Sequence, residues 1–280
     1  MNIGKVKTVF IFLFLIINIC LIYVSLYFES DSIKISKAEI EQTKLILSNY
    51  GVTLNDNIIN SVYPDMNYIN ILNPAANKTD FSYTLTGSSY GNNNFFNGKS
   101  GKLNYKENEF LYFPKYRGKS INSALPSQSA ATKVLKTLSQ YGFSTQNLKW
   151  NGSVLKDKYY EISFITNYQG FEFFNSELKV LADKNGVYSV FGKYFEITGI
   201  SKSDGIKSPL EILITFAVDK ETEEKVHINN IETGYYINSK TDIYTSLTAQ
   251  PCYKLSLKNG NTVFYDAVDG TLIEYIKYNS

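Results

Sequence analysis

His227 is the only histidine in the 280-residue chain. A proton relay at neutral pH normally turns on an imidazole, and a zinc site usually draws on several, so both chemistries lack material here. The setting of this residue, EEKVHINN, reads as the start of a strand after a charged turn, which makes it an ordinary surface or edge histidine. Glu221, Glu223 and Glu224 lie in that turn as solvated charge. A glycosidase needs two acids held at a fixed separation, and no spacing in the chain identifies such a pair. The stretch GNNNFFNGKS imitates a phosphate loop, but six residues separate Gly91 from Gly98. The phosphate-binding motif has four. Cys20 and Cys252 are the only cysteines. One lies in an apolar run and the other near the far end, so there is no disulfide framework, and Cys252 reads as a small buried hydrophobe. No catalytic, metal-binding or cofactor-binding residue is assigned, and the expectation is a protein that is not an enzyme.

One polar group remains, and it lies in the apolar run. Val9 to Phe28 is interrupted only by Asn18 and Ser25. Twenty residues rising ~1.5 Å each span roughly 30 Å, the hydrocarbon thickness of a bilayer, whereas a secretory core is about 7–15 residues long. Tyr27, Phe28 and Glu29 follow where a cleavage site needs small residues, so the run predicts a retained membrane helix over 9–28. Lys5 and Lys7 precede it and Glu29 and Asp31 follow, which puts residues 1–8 in the cytoplasm and the rest of the chain outside. Amides inside such helices hydrogen-bond to a partner helix or satisfy themselves locally, and both roles are open for Asn18. Phe10, Phe14, Asn18 and Ser25 are taken as the candidate partner-binding residues of this helix.

The positioning elements lie beyond it. The chain has 28 basic and 26 acidic residues, and removing Lys5 and Lys7 leaves the outer part neutral, with Arg117 its only arginine. That balance argues against nucleic acid. With 23 Tyr and 18 Phe, many in alternating runs, the chain leans to β structure. Ser36-Lys37-Ala38-Glu39 has the form of a capping box, and Ile40, Thr43, Leu47 and Tyr50 share a face before Gly51, predicting a helix over 37–50. A second helix follows Pro126, with Ala130, Ala131, Val134, Leu135, Leu138 and Tyr141 at helical spacing and Gly142 at its end. A third opens at Ser208-Pro209-Leu210-Glu211. LSNYGVT (47–53) and LSQYGFS (138–144) repeat at an offset of 91 residues, as a duplicated unit or as two similar helix ends. Asn185-Gly186, Asn259-Gly260 and Asp269-Gly270 each separate two strand-like runs and predict tight antiparallel turns.

The fold class expected is α+β: helices laid on curved antiparallel sheets. A polar stretch near 117–125 suggests a first extracytoplasmic domain over 29–118 and a second over 119–280 holding two helix-and-sheet units. TGSSYGNNNFFNGKSGKLN (86–104) predicts a long exposed loop. Phe95 and Phe96 within it are either contact points or residues packed back on their own domain.

The head KVKTVFIFLFLIINICLIY and the tail PCYKLSLKNGNTVFYDAVDGTLIEY together resemble the YycI (WalI) family, accessory proteins of the WalK/WalR (YycG/YycF) two-component system of Gram-positive bacteria. Lys7, Thr8 and Asn18 match a basic K-T start running into an anchor with a polar residue near its middle. The tail looks like the last PepSY-like unit of that family. Between Phe81 and Lys119 no motif matches. The resemblance implies an N-terminal transmembrane helix followed by PepSY/YycH-like units, no cofactor, and a single-pass cell-membrane protein. It also implies a role in signal transduction tied to cell-wall metabolism, with a WalK/YycG-like sensor histidine kinase, a YycH-like protein and membrane lipid as partners. The alternative is a PepSY-like extracytoplasmic module that binds or inhibits a protease or a cell-wall component.

Overall fold

The computed structural model describes residues 10–11, 13–20, 32–55, 57–92, 94–106, 109–121, 128–156, 158–220, 225–238 and 244–278. From Ser32 the chain forms β1 (Ser32–Lys34), α1 (Lys37–Asn49), β2 (Val52–Leu54), β3 (Val62–Pro64) and β4 (Tyr68–Leu72). A 3-10 turn at Pro74–Ala76 leads to α2 (Lys78–Thr86), β5 (Gly91–Asn92), β6 (Phe95–Asn97), β7 (Gly101–Lys106) and β8 (Glu109–Pro114). Then come α3 (Gln128–Gln140), β9 (Leu148–Lys156), β10 (Tyr159–Tyr168), β11 (Phe171–Asp183), β12 (Gly186–Gly192) and β13 (Glu196–Ser201). The chain closes with α4 (Pro209–Asp219), β14 (Val226–Ile237), β15 (Ser246–Leu257), β16 (Thr262–Asp266) and β17 (Leu272–Ile276). The fold is mixed α+β, with few helices and a large, mostly antiparallel sheet.

That sheet has two halves. The inner half, drawn from the middle of the chain, runs β9-β10-β11-β12-β8-β7-β6-β5 and is antiparallel throughout. The outer half runs β2-β14-β15-β4-β13, with β16 and then β17 beside the downstream part of β15. A single parallel bridge, Phe173 to Tyr235, joins them. Beside it the Asn175 amide donates to Ile237 O at 2.6 Å and accepts from Ile237 N–H at 3.0 Å. The boundary expected near residue 118 falls between β8 and α3, inside the inner half, and β4 pairs across it with β13 and β15. Residues 119–280 therefore supply strands to both halves.

Each half buries its own helices. Phe81 and Leu85 of α2, with Ala131, Val134 and Leu138 of α3, pack on the inner half against residues such as Phe164 and Val180. Leu47 of α1, with Ile212, Leu213 and Phe216 of α4, packs on the outer half against Leu255, Val263 and Tyr265. At the join, Phe173 packs with Tyr235 and Ile237, and Phe174 with Tyr236, Cys252 and Phe264.

The helices predicted at 37–50 and after Ser208 form, each with a complete capping box, Ser36/Glu39 and Ser208/Glu211. The helix predicted after Pro126 is described from Gln128. The three Asn-Gly and Asp-Gly turns join β11 to β12, β15 to β16 and β16 to β17. The two repeated helix ends seat on different halves, with Leu47 and Leu138 both buried and Gly51 and Gly142 both at positive φ.

The stretch 86–104 departs from its expectation. It is β5, β6 and the start of β7, and Phe96 is buried against Tyr105. Its glycines serve close packing: a Cβ on Gly98 would stand 2.1 Å from Thr86 O, and one on Gly101 2.5 Å from Phe113 O. Helix α2 has no counterpart among the sequence expectations.

Candidate functional site

Two sites are built by these elements. The first lies on the N-terminal apolar run, where residues 10–11 and 13–20 are helical. Val9, Phe12 and 21–28 of the expected span, including Ser25, lie outside the described residues. Among the described residues no helix is long and apolar enough to cross a membrane. Phe10, Phe14 and Asn18 follow one another at i, i+4 spacing, which stacks them on one helix face. With Ile11 and Leu15 they line a shallow groove open to the surroundings. Phe10 and Phe14 are 65% and 71% exposed. The Asn18 amide donates to Phe14 O at 2.8 Å, so one of its hydrogens is used within the helix while the remaining capacity of the group faces outward.

The second site is a cavity of about 660 Å³ at the far end of the outer half. Helix α4 covers the upstream part of this sheet face and ends at Asp219, with Lys220 N–H bonded to Phe216 O at 3.1 Å. Beyond that end the described residues leave a cavity over the sheet face. Phe216, Leu257, Val263 and Leu272 make an apolar floor. A register shift in β17 places Leu272 opposite Tyr265 and Tyr275 opposite Val263, so that residues three apart share the cavity face. The Asn259-Gly260 turn forms the rim. There Asn261 donates to the Tyr275 hydroxyl at 2.8 Å and accepts from Tyr278 N–H at 2.9 Å. Exposed Lys225, Lys258 and Lys277 stand around this opening and make no ion pair among the described residues. Burial, and after it the charge of Asp219, pushes the Tyr265 hydroxyl above its ordinary range, so it stays a neutral phenol.

His227 also lines this cavity, and it is half-buried. One ring nitrogen contacts Thr53 Oγ1 and the other Asn55 Oδ1, both at 2.8 Å. It ties β2 to β14. Glu221, Glu223 and Glu224 lie outside the described residues. Cys252 is fully buried, and burial followed by nearby Asp266 raises its thiol well above the usual range, which suppresses the thiolate. Among the described residues, no three His, Cys, Asp or Glu side chains cluster in a way that would hold a metal ion. The sequence named the helix residues, but not the cavity. Its lysines are spread over more than fifty positions, and only the fold brings them to one opening.

No protein-family model and no curated protein sequence matches the chain. Solved structures with similarity include YycH from Bacillus subtilis, with TM-score 0.40 and 11% identity, covering 76% of this chain and 53% of that one. The chain thus spans about half the length of that YycH chain. The Bacillus megaterium YpeB C-terminal domain gives TM-score 0.37 and 13% identity, covering 74% and 97%. An uncharacterized protein from Eubacterium rectale gives TM-score 0.39 and 10% identity, covering 79% and 89%.

Proposed function

We propose that this chain is a membrane-anchored accessory regulator of a WalK/YycG-like sensor histidine kinase, acting with a YycH-like partner. The observation that carries this reading is the helical face of Phe10, Phe14 and Asn18: it is apolar, outward-facing and interrupted by one amide with spare hydrogen-bonding capacity. In a bilayer such a face associates with another helix through van der Waals contact and one interhelical hydrogen bond of about 1 kcal/mol. A helix that packs better against one signalling state of a kinase than another shifts the balance between the two by that difference. The folded residues from 32 onward couple this bias to partners outside the membrane. The resemblance of both termini to the YycI family supplies the identity of the kinase in this reading.

The test is a crosslinked pull-down from native membranes, comparing the intact protein with one whose residues 9–28 are replaced by an unrelated membrane helix. Kinase and YycH-like protein should co-purify with the first and be lost from the second. Unchanged association after the swap defeats the helix contact. Absence of both partners from the intact sample transfers the case to an extracytoplasmic binding or inhibitory module.

A further inference from the structure

The cavity beyond α4 is not needed by the helix contact proposed above, and its two surfaces ask for opposite chemistries. The floor is apolar: Phe216, Leu257 and Val263 are buried in it, while Leu272 and the Tyr275 ring present half-exposed apolar surface to the opening. Among the described residues the opening carries Lys225, Lys258 and Lys277 without ion-pair partners, and Asp219 is the one carboxylate of the lining. A ligand that satisfies the floor alone leaves three cations unmatched. One that satisfies the cations alone leaves Leu272 and the Tyr275 ring wet. The volume of about 660 Å³ falls in the range of roughly 300–1,000 Å³ typical of small-molecule sites.

We propose that this cavity binds a single-chain anionic amphiphile, an alkyl chain bearing one phosphate-type head. The chain lies along Leu272 and the Tyr275 ring, between the end of α4 and β15–β17, which removes their exposed apolar surface from water. The head sits at the opening, where lysine ammonium groups bind phosphate as point charges. The His227 ring, held by Thr53 and Asn55, forms a fixed part of the wall. Because the attraction is partly between exposed charges, binding weakens as salt is raised.

The experiment uses the full chain in nanodiscs of zwitterionic lipid, with hydrogen exchange followed by mass spectrometry as octyl phosphate, octanol or inorganic phosphate is added. Octyl phosphate should slow exchange in 257–265 and 272–277 and reach half-saturation at a concentration at least tenfold below that of either control. The combined Lys225→Ala, Lys258→Ala and Lys277→Ala variant should raise that concentration at least tenfold while keeping its circular dichroism, because all three side chains are exposed. Equal protection by octanol, equal protection by inorganic phosphate, no protection by octyl phosphate, or unchanged binding by the variant would each overturn the proposal. A failed anchor swap leaves it standing, since the cavity involves none of residues 9–28.

Discussion

Asp266 sits where β16 turns toward β17, with Oδ1 accepting the N–H groups of Val268 at 2.7 Å and Asp269 at 3.3 Å. Burial is the larger influence on its carboxyl and raises it above its usual range, against those two hydrogen bonds. The folded state therefore holds this proton more tightly than the unfolded chain does. The stability linked to it is present below about pH 4, the unfolded carboxyl range, and is lost as pH rises through the raised folded value. Asp266→Asn keeps the accepting oxygen and discards the charge. Its melting temperature should vary less than that of the wild type between pH 4 and 7 and exceed it at pH 7; parallel curves would exclude Asp266 as the source. Gly98 makes a second prediction, because the atom a Cβ would strike belongs to the Thr86 backbone and cannot swing aside. Gly98→Ala should cost about 1–3 kcal/mol in urea unfolding, the range of other overpacked sites. This residue also explains why 86–104 was misread from sequence: Gly, Ser and Asn in a row signal a loop, yet glycine equally permits two backbones to touch, and composition does not separate the two cases.

Helices were legible wherever their signals were local. The Ser208/Glu211 box has Ser208 Oγ accepting Leu210 N–H at 3.1 Å and Glu211 accepting Ser208 N–H at 3.3 Å, all within four residues. Ser208→Ala should cost about 1 kcal/mol and Ser208→Gly only a few tenths, measured by denaturant midpoints on the same chain. Equal losses would indicate that the hydroxyl bond is not what holds this helix start. Helix α2 escaped notice because its inward face mixes Phe81 and Leu85 with fully buried Ser82 and Thr86. Ser82 donates to Thr79 O at 2.8 Å and Thr86 donates to Ser82 O at 2.8 Å, so backbone carbonyls satisfy the two hydroxyls inside the core. A hydrophobic-period search scores those positions as polar and loses the face. Strand turns fared better than strand partners. An Asn-Gly pair announces that its two flanks meet, but nothing near Tyr68–Leu72 announces a meeting with Glu196–Ser201.

That long-range pairing governs the molecule as a whole. Among the described residues the halves share one backbone bridge, the two hydrogen bonds of Asn175, the Lys254 ammonium over the Phe174 ring and the apolar packing around Phe173 and Phe174. Asn175→Ala should raise hydrogen exchange around Ile237 and Phe173 while the interiors of both halves stay protected, since removing it leaves the part-buried Ile237 groups unmatched. A uniform rise across the chain would mean that the halves unfold as one unit. The cavity was illegible for the same reason as the pairing: its floor is contributed by α4, β15, β16 and β17, and its lysines converge only after these have assembled. The outer half is also split in the chain, with β2 and β4 before residue 73 and β13 to β17 after residue 195, while the inner half is continuous over residues 91–192. During synthesis the middle of the chain is thus the first part able to complete its half of the large sheet. β4 can take its place between β13 and β15 only once these follow some 130 and 180 residues later. The order in which this protein is made is not the order in which it closes.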